Sequence, residues 1–160
     1  MLTEICQYLH NWFNRKPDGS DYPKYKGEFT ITNGVIDCDG LTDGQYFRIL
    51  GSLLNDGVHK YGTDTSGEQP KLYETLSDET FTGEVWSMGI PPIVVDLAKD
   101  IKDWQTQFGA IDSPSMSPYN SESFAGYTYN KSGGGTSDGT TAAGTWQGAF
   151  AKRLSPWRKI

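Results

Sequence analysis

The residue types that could carry chemistry are few and scattered. The chain has 2 histidines in 160 residues, His10 and His59. His10 falls on the boundary of the apolar stripe of the opening segment and reads as a surface or packing residue. His59 lies on a return strand, where alternation predicts half exposure. No Ser-His-Asp or Cys-His arrangement can be named from them. A hydrolase of the α/β type needs Gly-x-Ser-x-Gly at a strand-to-helix turn, and no such turn is read in the chain. The phosphate loops GxxxxGK[ST] and GxGxxG are missing. Gly133-Gly134-Gly135 opens no helix and follows no buried parallel strand, so it reads as linker. Asp37-Cys38-Asp39-Gly40 with Asp43 is a poor calcium loop, because Leu41 stands where a third oxygen ligand belongs and no Glu closes the pattern. The 20 acidic residues offer many accidental carboxylate pairs, and nothing singles one out for glycoside hydrolysis. Cys6 and Cys38 form no CxxC and read as two buried free thiols. The expectation is no catalytic residue, no metal ligand set and no cofactor.

Composition points instead to contact between proteins. The apolar fraction is 36%, below the usual 45–50%, while 13% of residues are aromatic, including 5 Trp and 9 Tyr. A lean core with many amphipathic rings suggests burial against partner chains. The net charge is −6, and a protein that grips DNA through its phosphates shows a basic stripe. The only basic cluster is Lys152, Arg153, Arg158 and Lys159, too small for such a footprint. There is no apolar run of ~18 residues, so no membrane helix is expected. The opening MLTEICQYLHNWFNRK does not read as a signal peptide.

Few elements are needed to position these residues. Leu2, Ile5, Cys6, Leu9 and Phe13 predict an amphipathic helix over about 2–15, stopping before Pro17-Asp18-Gly19. A polar loop follows through 17–26. EFTIT-NG-VIDC then carries Asn33-Gly34 between two alternating runs, the signature of a type I′ hairpin. Ile31 should pair with Ile36 and Phe29 with Cys38 on the apolar face, with Thr30 and Asp37 on the other. Residues 44–61 repeat the logic: a strand through Tyr46, Phe47 and Ile49, a turn at Asn55-Asp56-Gly57, and a return through Val58 and Tyr61. Residues 62–72 read as a loop. From Ser77 the pattern suggests a helix, with Ser77, Asp78 and Glu79 as cap and acidic first turn. Its apolar face would be Phe81, Val85, Trp86 and Met88 to Ile90, and Pro91-Pro92 would end it. A second central helix follows over about 92–108, with Ile93, Val94, Leu97, Ile101, Trp104 and Phe108 as its stripe and Gly109 closing it. After a loop at 109–120 come a strand-like arm at 121–131, a glycine and serine tether at 132–144, and a short helix bearing Trp146, Phe150 and Leu154. Ser155-Pro156 breaks that helix, and Trp157 to Ile160 should project as a terminal peptide.

The expected fold is α+β in one domain, 1–160. Its body would be a small helical bundle of N-terminal helix, two central helices and short C-terminal helix. The β-hairpins would be inserted over 27–62, the late β arm and tether would span 119–144, and a docking helix and tail 145–160.

Several stretches together resemble the head-to-tail adaptor, or connector, proteins of tailed bacteriophages. SDETFTGEVWSMGIPPIVVDLAKDIKDW is similar to the central helices of that family, and GQYFRILGSLLNDGVHKY to the segment before them. SPYNSESFAGYTYNKS resembles its late arm, and LSPWRKI its closing residues. The likeness spans about 44–160; the stretches at 27–62 and 132–144 are longer than a minimal adaptor needs. It implies a non-enzymatic virion protein in the head–tail neck, assembled in the host cytoplasm as a homo-oligomeric ring, typically a dodecamer, beneath the portal protein. Such a ring extends the channel through which DNA passes without sequence-specific binding, and receives a downstream stopper or tail protein. An acidic balance would keep the DNA backbone from adhering. A ring subunit meets its neighbours through non-identical faces, which suits a strand donated to a sheet edge. On this reading Phe124, Tyr127 and Tyr129 are inter-subunit anchors or members of an ordinary hairpin on their own domain. Trp157, Arg158, Lys159 and Ile160 dock on the portal, or fray as a terminus does. The alternatives are a stopper or tail-completion protein of the same neck, and a carbohydrate-binding module using the Tyr and Trp surface.

Overall fold

The computed structural model describes residues 1–62, 73, 75–108, 121–124, 127–130 and 145–159. The chain divides into two compact units, Met1–Ala98 with the last residues from Trp157, and Lys99–Pro156.

The first unit is built on a five-stranded antiparallel sheet, not on a helical bundle. Its strands are β1 (Lys24–Thr32), β2 (Val35–Ile36), β3 (Tyr46–Leu50), β4 (Gly57–Lys60) and β5 (Glu79–Met88), in the order β2-β1-β5-β3-β4. The decisive difference from the sequence expectation is β5, which occupies the place of the first central helix. Phe81, Val85, Trp86 and Met88 fit helical spacing, and that is why the stretch reads as a helix. The same ten residues hold Thr80, Phe81, Thr82, Val85 and Trp86, types that favour a pleated, half-buried surface. Tertiary pairing breaks the tie. β5 is the central strand, hydrogen-bonded to β1 from Lys24↔Trp86 to Ile31↔Glu79 and to β3 from Tyr46↔Met88 to Leu50↔Glu84. All ten residues pair on one edge or the other, and Glu84 to Trp86 on both, which outweighs the helical preference of the capped stretch. Gly83 sits opposite Gly27 on β1, and the crowding is on its other side, where a Cβ would lie 2.1 Å from the Leu50 carbonyl oxygen.

Both hairpins read from the sequence are present. Asn33 and Gly34 take φ of 53° and 74°, as a type I′ turn requires. The ladder is short, Ile31↔Ile36 and Thr32↔Val35. Phe29 pairs on β1's other edge with Phe81 and does not pair in the ladder with Cys38, although both belong to one apolar cluster. That cluster joins Phe29, Ile31, Ile36, Cys38, Leu41, Phe47, Ile49, Phe81 and Val85 on one face of the sheet. The second hairpin pairs Tyr46↔Lys60 through Ile49↔Gly57.

The opening helix, α1 (Leu2–Tyr8), is half the expected length. His10 stops it by taking φ of 50°, so that its N–H bonds to Gln7 O at 3.1 Å and the Asn11 N–H to Cys6 O at 3.1 Å. This is the two-bond closure that glycine usually supplies. Leu2, Ile5, Cys6 and Leu9 are buried, and Thr3 Oγ1 accepts from Val58 N of β4 at 2.9 Å.

Helix α2 (Pro92–Phe108) spans the expected residues. Val94, Leu97, Ala98 and Ile101 are buried, but Ile93, counted in the stripe, is 60% exposed. In the second unit the C-terminal helix is two single turns, α3 (Trp146–Ala149) and α4 (Ala151–Leu154), followed by a 3₁₀ turn at Ser155–Trp157. Thr145 caps α3 by accepting from Gly148 N at 3.3 Å. Arg153 pairs with Asp100 at 2.6 Å, and the Trp104 and Phe150 rings meet edge-on at 6.4 Å. The late arm is a separate two-stranded hairpin, β6 (Ser121–Phe124) and β7 (Tyr127–Asn130). Among the described residues no helix is long and apolar enough to cross a membrane.

Candidate interaction site

The loop between β3 and β4, residues 51–56, turns its polarity inside out. Ser52 and Asn55 are buried, at 7% and 3% exposure, while Leu53 and Leu54 stand out at 94% and 63%. The cause is Glu79 at the start of β5. Its carboxylate accepts from the Ser52 hydroxyl, from Leu53 N at 3.0 Å, from Leu54 N at 3.3 Å and from Asn55 Nδ2 at 3.0 Å. Asn55 adds a reciprocal pair with Ser77, donating to its carbonyl at 3.0 Å and accepting from its N–H at 2.7 Å. Ser52 Oγ in turn accepts from Asn55 N at 2.7 Å. The hydroxyl of Ser52 above all, with the loop amides and Asn55, holds the Glu79 carboxyl below the usual glutamate range, against the opposing effect of desolvation. Every buried polar group of the loop so described is satisfied, and two leucines are left facing outward on a fixed backbone. Such a tip wastes apolar area unless something covers it.

On the same unit, one row of side chains crosses the sheet. Lys24 of β1 faces Trp86 of β5, Trp86 faces Arg48 of β3, and Arg48 faces Val58 of β4. Directly opposite residues share a face and lie within reach of each other. The Lys24 ammonium is 4.3 Å from the Trp86 ring centroid, and the Arg48 guanidinium carbon is 5.3 Å from it. Trp12, just past α1, covers Arg48 at 3.4 Å. Trp86 Nε1 donates to Glu84 Oε2 at 2.9 Å, and Lys26 pairs with that carboxylate at 3.4 Å. Arg48 itself carries no ion pair among the described residues, and its Nε is buried with no hydrogen-bond partner. Desolvation pulls the Arg48 pKa down, partly offset by the charge of Asp56. Asp56 is engaged elsewhere, accepting from Gly51 N at 3.3 Å.

The terminal residues do not project. Lys159 N donates to Leu9 O at 2.9 Å, and Asn11 Nδ2 donates to Trp157 O at 3.0 Å. The Trp157 ring lies 6.3 Å from that of Phe13, and the Arg158 guanidinium 5.8 Å from the Tyr8 ring. Arg158 and Lys159 stay exposed and Trp157 is half-buried; Ile160 lies outside the described residues. In the arm, Phe124 is the register partner of Tyr127, and Tyr129 of Glu122, so the two strands pair with each other. The tether at 132–144 and the loops at 109–120 and 63–72 lie outside the described residues. The spelling Gly135-Thr136-Ser137-Asp138-Gly139 falls in that tether, a serine pattern the strand-to-helix criterion passes over.

His59 is buried, at 3% exposure, where alternation predicted half exposure. It sits 2.8 Å from the Asn55 carbonyl oxygen by Nε2, and its ring lies 5.8 Å from that of Phe47. It is therefore a structural part of the loop closure. Both cysteines are buried free thiols, and burial pushes the Cys6 thiol up to about 12. Asp37, Asp39 and Asp43 do not gather into a cation site; no group of three potential metal ligands occurs among the described residues.

Neither Glu79 nor Arg48 stands out in the sequence. Glu79 looks like a helix first-turn acid, and Arg48 like the polar member of an alternating strand. A signal for the loop was present in SLLND: two leucines between residues that prefer turns, off the strand's alternation. No protein-family model, curated protein or solved structure matches the chain.

Proposed function

We propose that this chain is a structural connector of a tailed-phage neck, assembling in a ring between the portal and the tail and performing no catalysis. The observation that carries the reading is the inverted loop 51–56. A carboxylate and two buried polar side chains hold its backbone so that Leu53 and Leu54 point outward. A fixed apolar tip is a docking element, because it loses no loop entropy when a partner covers it. The acidic balance of −6 fits a lumen through which DNA slides without adhering.

Within the neck, the adaptor role drew its fold support from reading 77–104 as two helices. Because Glu79–Met88 is a strand, a stopper or tail-completion role stands beside it on equal footing. A carbohydrate-binding role is less well supported: a sugar would need open aromatic faces, and the Trp86 ring carries Lys24 and Arg48 while the Trp12 ring carries Arg48. The test is co-sedimentation of the chain with isolated portal and with isolated tail. Binding to portal alone assigns the adaptor role, binding to tail components the stopper role. Binding to neither, at concentrations where rings form, would overturn the proposal.

A further inference from the structure

We propose that the open edge of β1 pairs with the same edge of a second copy of this chain, antiparallel and about a two-fold axis at Gly27. The inference does not rest on the neck assignment: a two-fold contact closes on itself and is separate from the head-to-tail contact of a ring. β1 runs for 9 residues, but β2 pairs with it only at Ile31 and Thr32. Asp37 extends that cover by one step, its N–H donating to Thr30 O at 2.9 Å. The backbone groups of successive residues turn to opposite edges, so Thr30, Glu28 and Lys26 face outward while Phe29, Gly27 and Tyr25 face β5. The bond from Ser87 N to Pro23 O, at 2.9 Å on the β5 side, keeps the same alternation. Neither Lys26 nor Glu28 has a backbone partner on the outer edge among the described residues, and both residues are exposed. An uncovered row of this kind is a template for another strand.

The side chains select the occupant. Reversed about Gly27, the strand sets Lys26 opposite Glu28 of the second copy, and Glu28 opposite its Lys26. These are the pairs that exchange N–H and C=O bonds, so the outward groups and the charges are satisfied together. Gly27 falls opposite itself in a pair without those bonds, where Cα atoms approach to about 4.5 Å. A glycine suits that point, and even a Cβ there would meet nothing in its own chain within 4 Å. Tyr25 falls opposite Phe29, an aromatic pair on the face of the apolar cluster. Slipping the register by two residues puts Lys26 opposite Lys26 in one direction and Glu28 opposite Glu28 in the other. A one-residue slip sets outward groups against inward ones. The Lys26 side chain is 82% exposed, and its contact with Glu84 at 3.4 Å is a surface pair worth little. Glu28 makes no ion pair among the described residues. Pro23, which has no N–H, and Asp37 bound the open row at its two ends. An edge so short buries less than the roughly 1,200 Å² of a stable complex, which corresponds to weak pairing with a Kd of about 0.1–1 mM.

The experiment is sedimentation equilibrium of the full-length chain up to about 1 mM, for the native protein, Lys26→Glu, Glu28→Lys and an equimolar mixture of the two variants. The native chain should pair as concentration rises. Each variant alone places like charges opposite and should pair at least tenfold more weakly. The mixture places opposite charges together again and should pair as the native chain does. A native chain that stays monomeric overturns the proposal, as does unchanged pairing in either variant or a mixture no better than its parts. Where the chain assembles beyond a pair, or a variant fails to fold, amide exchange of Lys26 and Glu28 in the native chain decides. Protection that grows with concentration supports the pairing, and its absence overturns it. Protection gained only on adding isolated portal or tail would overturn it in favour of a strand from that partner.

Discussion

Substituting alanine at Gly83 separates a strand at 79–88 from a helix by sign alone. In the sheet, a Cβ on Gly83 meets the Leu50 carbonyl oxygen at 2.1 Å and the Phe81 ring at 3.1 Å. The first contact is with backbone, which cannot swing aside. Overpacking of this kind costs about 1–3 kcal/mol, and alanine's lower chain entropy returns about 0.5–1 kcal/mol, leaving a net loss of roughly 1–2 kcal/mol. With a urea slope of about 1–3 kcal/mol per molar, the midpoint should fall by roughly half to one molar. A Cβ on Gly27, directly opposite on β1, would meet nothing within 4 Å. Gly27→Ala should therefore raise the midpoint slightly, by the entropy gain alone. A helix over the same residues predicts that Gly83→Ala stabilises by about 1 kcal/mol. The assay is urea unfolding followed by tryptophan fluorescence for the two single variants. A Gly83→Ala midpoint at or above wild type would refute the central position of β5.

Other consequences are checked more simply. His10→Gly should raise stability by about 0.5–1 kcal/mol in the same assay, because His10 sits at φ 50° where glycine is unstrained. Glu79 has its folded pKa lowered, chiefly by the Ser52 hydroxyl, so its contribution is present above the unfolded value and is lost as pH falls through the folded one. Amide exchange of Leu53 and Leu54, corrected for intrinsic rates, should accelerate below about pH 4, and in Glu79→Gln it should be fast at neutral pH. The double variant Leu53→Ser, Leu54→Ser should leave the unfolding midpoint within experimental scatter, since both side chains are exposed, while abolishing the co-sedimentation that the proposed role predicts. Cys6, its thiol pushed up to about 12 by burial, should resist maleimide at pH 8 in the folded chain and react at once in urea.

How much of this was legible in the sequence depended on whether the cause was local. The Asn33-Gly34 turn is dictated by the two residues that occupy it, and α2 by an uninterrupted stripe bounded by Pro91-Pro92, so both could be read directly. α1 could not be bounded, because its stop is a histidine in a conformation that the sequence signals only with glycine. β5 was misread because Phe81, Val85, Trp86 and Met88 fit one helical stripe, whereas in the strand Phe81 and Val85 lie on one face and Trp86 and Met88 on the other. The choice belongs to β1 and β3, which lie far away in sequence. The site residues were hidden for the same reason. Glu79 reaches back 24 to 27 positions to the loop it holds, and Arg48 meets Trp12 and Trp86 only when the sheet has formed. The tail was misjudged because its anchors, Leu9 and Asn11, lie at the other end of the chain.

The central claim, that this is a structural protein of the virion neck, is tested most directly on intact particles. Gold-labelled antibody raised against the purified chain, applied to tail-stripped virions and viewed by electron microscopy, should mark the single vertex where the tail was attached. Label spread over the capsid or along the tail, or no label on particles that contain the chain by mass spectrometry only in trace amounts, would contradict it.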